Sequence, residues 1–119
     1  MTKIAVVFLL ASLAGCASQD PWTSEDRSRQ LWVSGAVITD NVSSRHIQHD
    51  PNVKEAGPAR WFIGSEPSDS DLAIYAVSVV ATHYLVARAL PKKWRAWYQR
   101  AAFAGHGYAT INNCQLMGC

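Results

Sequence analysis

Residues able to hold or move a proton stand where apolar side chains are expected. Asp40 lies on a helical face otherwise made of Val33, Val37 and Ile47, with Ser44 one turn further on. His83 interrupts a face made of Ala76, Val79, Val86 and Leu90, and His106 shares a stripe with Gln99, Ala102 and Asn113. A carboxylate on an apolar face needs partners, because burying it unpaired is costly. Helices that bring Asp40, Ser44, His83 and His106 to one level would build a polar centre. Its chemistry is open between a metal site, a proton relay and a hydrogen-bonded structural cluster, and the structural cluster is the expectation. His46 and His49 sit three apart beside Asp50. Two imidazoles at that spacing can share a metal, yet imidazolium near a helix C-terminus also suits the helix dipole. Cys114 and Cys119 flank Gln-Leu-Met-Gly, where a small-loop disulfide, free thiols and an intermolecular bridge are all open. No HExxH, CxxC or glycine-rich phosphate loop occurs, so no catalytic residue, metal or other cofactor is expected.

The elements that must position these groups read as helices. Thr23 can cap a helix whose first turn carries Glu25 and Asp26, and that helix is expected over about 24–48. Residues 50–68 hold three prolines and two glycines and read as an irregular connector, with Trp61, Phe62 and Ile63 tucked against the helices. Ser68 before Asp69, Ser70 and Asp71 is a near capping box. The body of the second helix, 72–90, is apolar almost all round, so it is either buried centrally or in lipid. Its His83 and Arg88 would be expensive in lipid without partners, so packing among helices is expected rather than a lone span. Pro91 marks a sharp junction, and a third helix is expected over about 92–113. Small residues from Ala101 to Ala109 suggest close helix contact in its second half. The fold class is therefore all-α: a small three-helix bundle with a long connector between helices one and two.

Eleven basic and nine acidic side chains give a net charge of +2, too little to form a field that attracts nucleic acid. Arg88, Lys92, Lys93, Arg95 and Arg100 interleave with Trp94, Trp97 and Tyr98. Lys and Arg that snorkel beside interfacial aromatic rings explain this group better than nucleic acid does. Five tryptophans in 119 residues point the same way.

The N-terminus has a positive Lys3, an apolar run from Ile4 to Leu13, and small residues before Cys16. The run is too short to cross a bilayer, which takes roughly 20 apolar residues, and fits a secretory signal. The ending Leu13-Ala14-Gly15-Cys16 resembles the lipobox of bacterial lipoproteins. The resemblance implies cleavage before Cys16, lipidation of its thiol and acylation of the new amino end. With Ala17 next, it also implies the outer membrane facing the periplasm. The chain then divides into a signal over 1–15, a lipidated tether over 16–22 and a helical domain over 23–119. Asp40, Ser44, Glu55, Pro58, Gly64, Pro67, Ser68, Tyr75, His83, Arg88 and Asn112 or Asn113 follow an order that resembles a group of short uncharacterised proteobacterial and prophage-associated lipoproteins or membrane proteins. The chain departs from that order at Gly57, where asparagine is expected, and near His106, where an acidic residue is expected. The resemblance implies no biochemical activity. A membrane-anchored envelope lipoprotein with a structural or interaction role is expected, partnered by membrane lipid and by an envelope protein. The alternative is a small metal-binding or hydrolytic protein using Asp40 and His83.

Overall fold

A computed structural model of the chain describes residues 20–45 and 59–117. Cys16, His46, His49, Glu55 and Cys119 lie outside them, so the expectations placed on those residues do too. Among the described residues the protein is all-α: α1 Ser24–Ser44, α2 Arg60–Ile63, α3 Asp69–Ala89 and α4 Lys92–Met117. α1 shares its largest interface with α4, while α3 packs mainly on α1 and α2 rests on α3. α1 and α4 run in the same direction, since Asp26 meets Arg95 near their starts and Asp40 meets His106 further along. α3 runs the opposite way, because Arg45 reaches Asp69 at one end and Trp22 stacks on Tyr84 at the other.

The helix starts follow local chemistry. Thr23 Oγ1 accepts the Asp26 amide at 3.1 Å while the Asp26 carboxylate accepts the Thr23 amide at 3.0 Å, a reciprocal capping box. Ser68 and Asp71 repeat it at the start of α3. Leu90 leaves α3 in an extended conformation before Pro91, and α4 starts at once. The stretch expected to be wholly irregular contains α2, which ends on Gly64 at φ 84°, a backbone angle that glycine adopts without strain. α4 also runs further than expected, to Met117.

The interior corrects the sequence expectations most. Among the described residues its buried apolar side chains are Val33, Val37, Pro67, Leu72 and Ala87, whereas Asp26, Gln30, Asn41, Ser43, Ser44, Arg95 and Gln99 are buried polar ones. α3 is not a central helix: Leu72 and Ala87 are its buried residues, and Ile74 and Val77 face outward. Trp61 and Phe62 are not tucked in either, at 84% and 69% exposure. Nor do Gly105 and Gly107 mark close helix contact, since a Cβ at either would meet open space.

Candidate functional site

Two polar centres lie between the helices. The first holds the four residues singled out by sequence, together with Ser43, Tyr98 and Asn113. α1 contributes Asp40, whose Oδ2 lies 2.8 Å from His106 Nδ1 on α4. His106 Nε2 lies 3.1 Å from Nε2 of His83 on α3, and His83 Nδ1 lies 2.6 Å from the Tyr98 hydroxyl. The other Asp40 oxygen accepts from Asn113 Nδ2 at 3.4 Å, and the same amide donates to the hydroxyls of Ser43 and Ser44. Both serines in turn donate to the Asp40 carbonyl.

One set of protons satisfies the row when both imidazoles are neutral. Tyr98 O–H donates to His83 Nδ1, His83 Nε2–H donates to His106 Nε2, and His106 Nδ1–H donates to Asp40. When His106 is imidazolium, it donates at both ends and His83 reverses its tautomer. The carboxylate thus fixes the ring it touches and, through that ring, the next one. The arrangement is linear rather than convergent: among the described residues no three His, Cys, Asp or Glu side chains are grouped so as to hold a metal ion. It can hold a proton in alternative positions and tie three helices together. Asp40 and His83 share no hydrogen bond; His106 stands between them.

The second centre was not expected. Arg95 and Asp26 form an ion pair at 2.9 Å with side chains 1% and 0% exposed. Arg95 makes five hydrogen bonds: Nε to the Ala87 carbonyl, Nη1 to Asp26 and the Pro21 carbonyl, and Nη2 to the Asp20 and Leu90 carbonyls. A guanidinium offers five N–H donors in a fixed fork, so none is left over. The cation also sits at the C-terminus of α3, where carbonyls are otherwise orphaned and the helix dipole is negative. This corrects the expectation that Arg95 snorkels to a headgroup with its neighbours. Arg29 closes the other side of Asp26 at 2.6 Å and donates to Gln99, which itself donates to the Asp26 carbonyl and to Gln30. Burial raises the Asp26 pKa. The Thr23 amide, Arg29, Arg95 and the Thr23 hydroxyl outweigh burial and hold it at about 2.

At the same end of the molecule guanidinium groups lie against tryptophan rings. The Arg88 and Arg95 guanidiniums lie 5.6 and 5.4 Å from the Trp22 ring centre, and Arg100 lies 5.9 Å from that of Trp97. At the opposite end Arg45 pairs with Asp69 in solvent, and that bond raises the guanidinium pKa. Cys114 is disulfide-bonded, and the chain's other cysteines, Cys16 and Cys119, lie outside the described residues.

Comparison with protein-family models, curated proteins and solved structures finds no match.

Proposed function

We propose that the protein is a membrane-anchored envelope lipoprotein with a structural or interaction role. It is held by acyl chains on Cys16 at the outer membrane, facing the periplasm, where it packs against lipid and an envelope protein. In this reading α1, α3 and α4 are a small three-helix bundle and the segment after α1 is its long connector. The observation that carries it is the inverted distribution of side chains. Among the described residues five apolar side chains are buried, while Leu31, Trp32, Ile38, Val77, Phe103 and Ile111 are each at least 46% exposed. A water-soluble domain of this size buries such side chains to offset its chain entropy. One that leaves them outside is built to meet another apolar phase. Metabolic labelling with a fatty-acid analogue tests the anchor. The wild type should incorporate label and Cys16→Ser should not; label retained by Cys16→Ser, or never acquired by the wild type, refutes it.

A second reading is favoured by one observation, the row Asp40–His106–His83–Tyr98. A carboxylate that orients an imidazole is an arrangement used for acid–base chemistry. In that reading the protein is a small hydrolytic or metal-binding protein. His83→Ala and Asp40→Ala chains would then stay folded while a cellular phenotype or bound metal disappears.

A further inference from the structure

The side chains between the two charged ends of the molecule form a belt with three properties. The first is the placement of charge. On α1 the span 30–44 contains one charged residue, Asp40, and it turns inward to His106. On α3 the span 72–87 contains no Asp, Glu, Lys or Arg, and neither does 101–117 on α4. The second is the exposed surface of all three helices: Leu31, Ile38 and Val42 on α1, Ile74 and Val77 on α3, Ile111 on α4. A protein partner covers one face of a small domain, whereas this surface runs around the body.

The third property concerns hydroxyl groups. Every serine and threonine in these spans donates to a carbonyl of its own helix. Ser34, Thr39, Ser78, Thr82 and Thr110 do so four residues back, and Ser43 and Ser44 both bond to Asp40. Thr39 and Ser78 are exposed, yet their hydroxyls turn back to the backbone. Water imposes no such requirement, but hydrocarbon does.

We infer that the helical body sits within a bilayer, its uncharged belt against acyl chains and its basic, tryptophan-rich end among the headgroups. The inference deepens the lipoprotein reading and rests on it for orientation. Cys16 precedes Asp20 by four residues, a reach of at most ~14 Å, and the Asp20 carboxylate accepts the Lys92 amide at the basic end. The acyl chains therefore bring Arg27, Lys93, Trp94 and Trp97 to the level of the headgroups, where such residues partition. α3 is the helix among the described residues that is long and apolar enough to cross a membrane. Its uncharged span 72–87 is roughly 24 Å long at ~1.5 Å per residue, against ~30 Å for an average hydrocarbon core and less for a bacterial outer membrane. A shallow apolar groove of about 440 Å³ between α1 and α3, lined by Ile38, Ala76, Val77, Val80 and Tyr84 among others, offers an acyl chain a seat.

The test uses the full chain in phosphatidylethanolamine–phosphatidylglycerol vesicles. Single cysteines replace Ile38, Val77 or Ile111 in the belt, and Arg27 or Trp61 at the two ends. A charged maleimide is loaded on both sides of the bilayer, and label taken up by the unsubstituted protein is subtracted. The belt cysteines on all three helices should react at least roughly tenfold more slowly than those at the ends, and detergent should not restore them fully. Protection on one helix alone assigns the belt to a protein partner or a second copy and overturns the inference. Equal labelling everywhere puts the body in water and overturns it as well. Quenching of the native tryptophans by brominated lipid checks the same point without any substitution, and absence of quenching overturns it. Acylation of Cys16 is scored separately, so a labelled anchor with a freely reactive belt sinks this inference and leaves the anchor standing.

Discussion

Replacing Arg95 with alanine should be the most damaging single change away from the histidines. The variant loses five hydrogen bonds at once. It leaves the Ala87 and Leu90 carbonyls at the end of α3 unsatisfied and takes one of two guanidiniums from the Asp26 carboxylate, which is 0% exposed. Breaking a buried pair from one side costs about 3–5 kcal/mol, because the other charge stays behind. That is a large part of the ~5–15 kcal/mol expected of a whole domain. Arg95→Lys should recover only part, since an ammonium keeps the charge but not the fork. The pH dependence gives a second readout. The Asp26 pKa is held at about 2 against an ordinary 3.8. A lowered carboxylate pKa contributes stability that is present above the unfolded value and lost as pH falls through the folded one. Here the contribution is about 2 kcal/mol, complete above about pH 4 and gone below about pH 2. Asp26 is covered by its partners rather than by deep protein, so this figure depends on those partners remaining. Removing Arg95 should raise the Asp26 pKa and move acid unfolding to higher pH. Unfolding in mild detergent, followed by circular dichroism across pH 2–6, reads both effects. A loss under 1 kcal/mol with an unchanged acid transition would refute the claim that Arg95 joins the three helices.

Double-mutant cycles on the first centre should rank the couplings: Asp40 with His106 and His106 with His83 strong, on the order of 1–3 kcal/mol, and Asp40 with His83 weaker, because it passes through the middle ring. Equal coupling for all three pairs would contradict the linear arrangement. Thr23→Ala and Ser68→Ala should each cost about 1 kcal/mol by loss of a capping box, and the Thr23 change should also raise the Asp26 pKa, measurable by its acid transition. Arg45→Ala removes a pair whose side chains are 54% and 62% exposed. Its loss should leave thermal unfolding almost unchanged, and any effect should fade with added salt; a marked drop in Tm that salt does not screen would contradict a solvent-exposed pair.

The first centre was legible because Asp40 and His83 interrupt apolar stripes, and a break in periodicity is visible in any single sequence. Tyr98 was legible in principle and missed. A hairpin turning at Leu90–Pro91 places residue 83 opposite 98 and residue 87 opposite 95, which are the contacts observed. The basic and aromatic composition of 92–100 drew these residues to the surface instead. The second centre shows why periodicity alone fell short. Arg95, Gln99, Ala102, His106 and Asn113 share one face of α4, as Asp26, Gln30, Val33, Val37 and Ser44 share one face of α1. Spacing identifies a distinct face but does not say whether that face turns inward. The usual sign, polar outward, assumes water around the molecule. In this chain Arg95 and Gln99 turn inward while Trp94 and Trp97 turn outward. The helix starts were legible because a capping box is local; the end of α4 was legible too and missed, because Gly118, the usual signal just past a helix C-terminus, directly follows Met117.

The central claim is that the apolar outside of the body meets lipid. Its most direct measurement is alkaline extraction of membranes from cells exporting the chain behind a cleavable leader, so that it begins at Ala17 and carries no acyl chain. This form should remain in the membrane pellet with the acylated wild type and need detergent to leave it. Quantitative release as a soluble, helical monomer would contradict it.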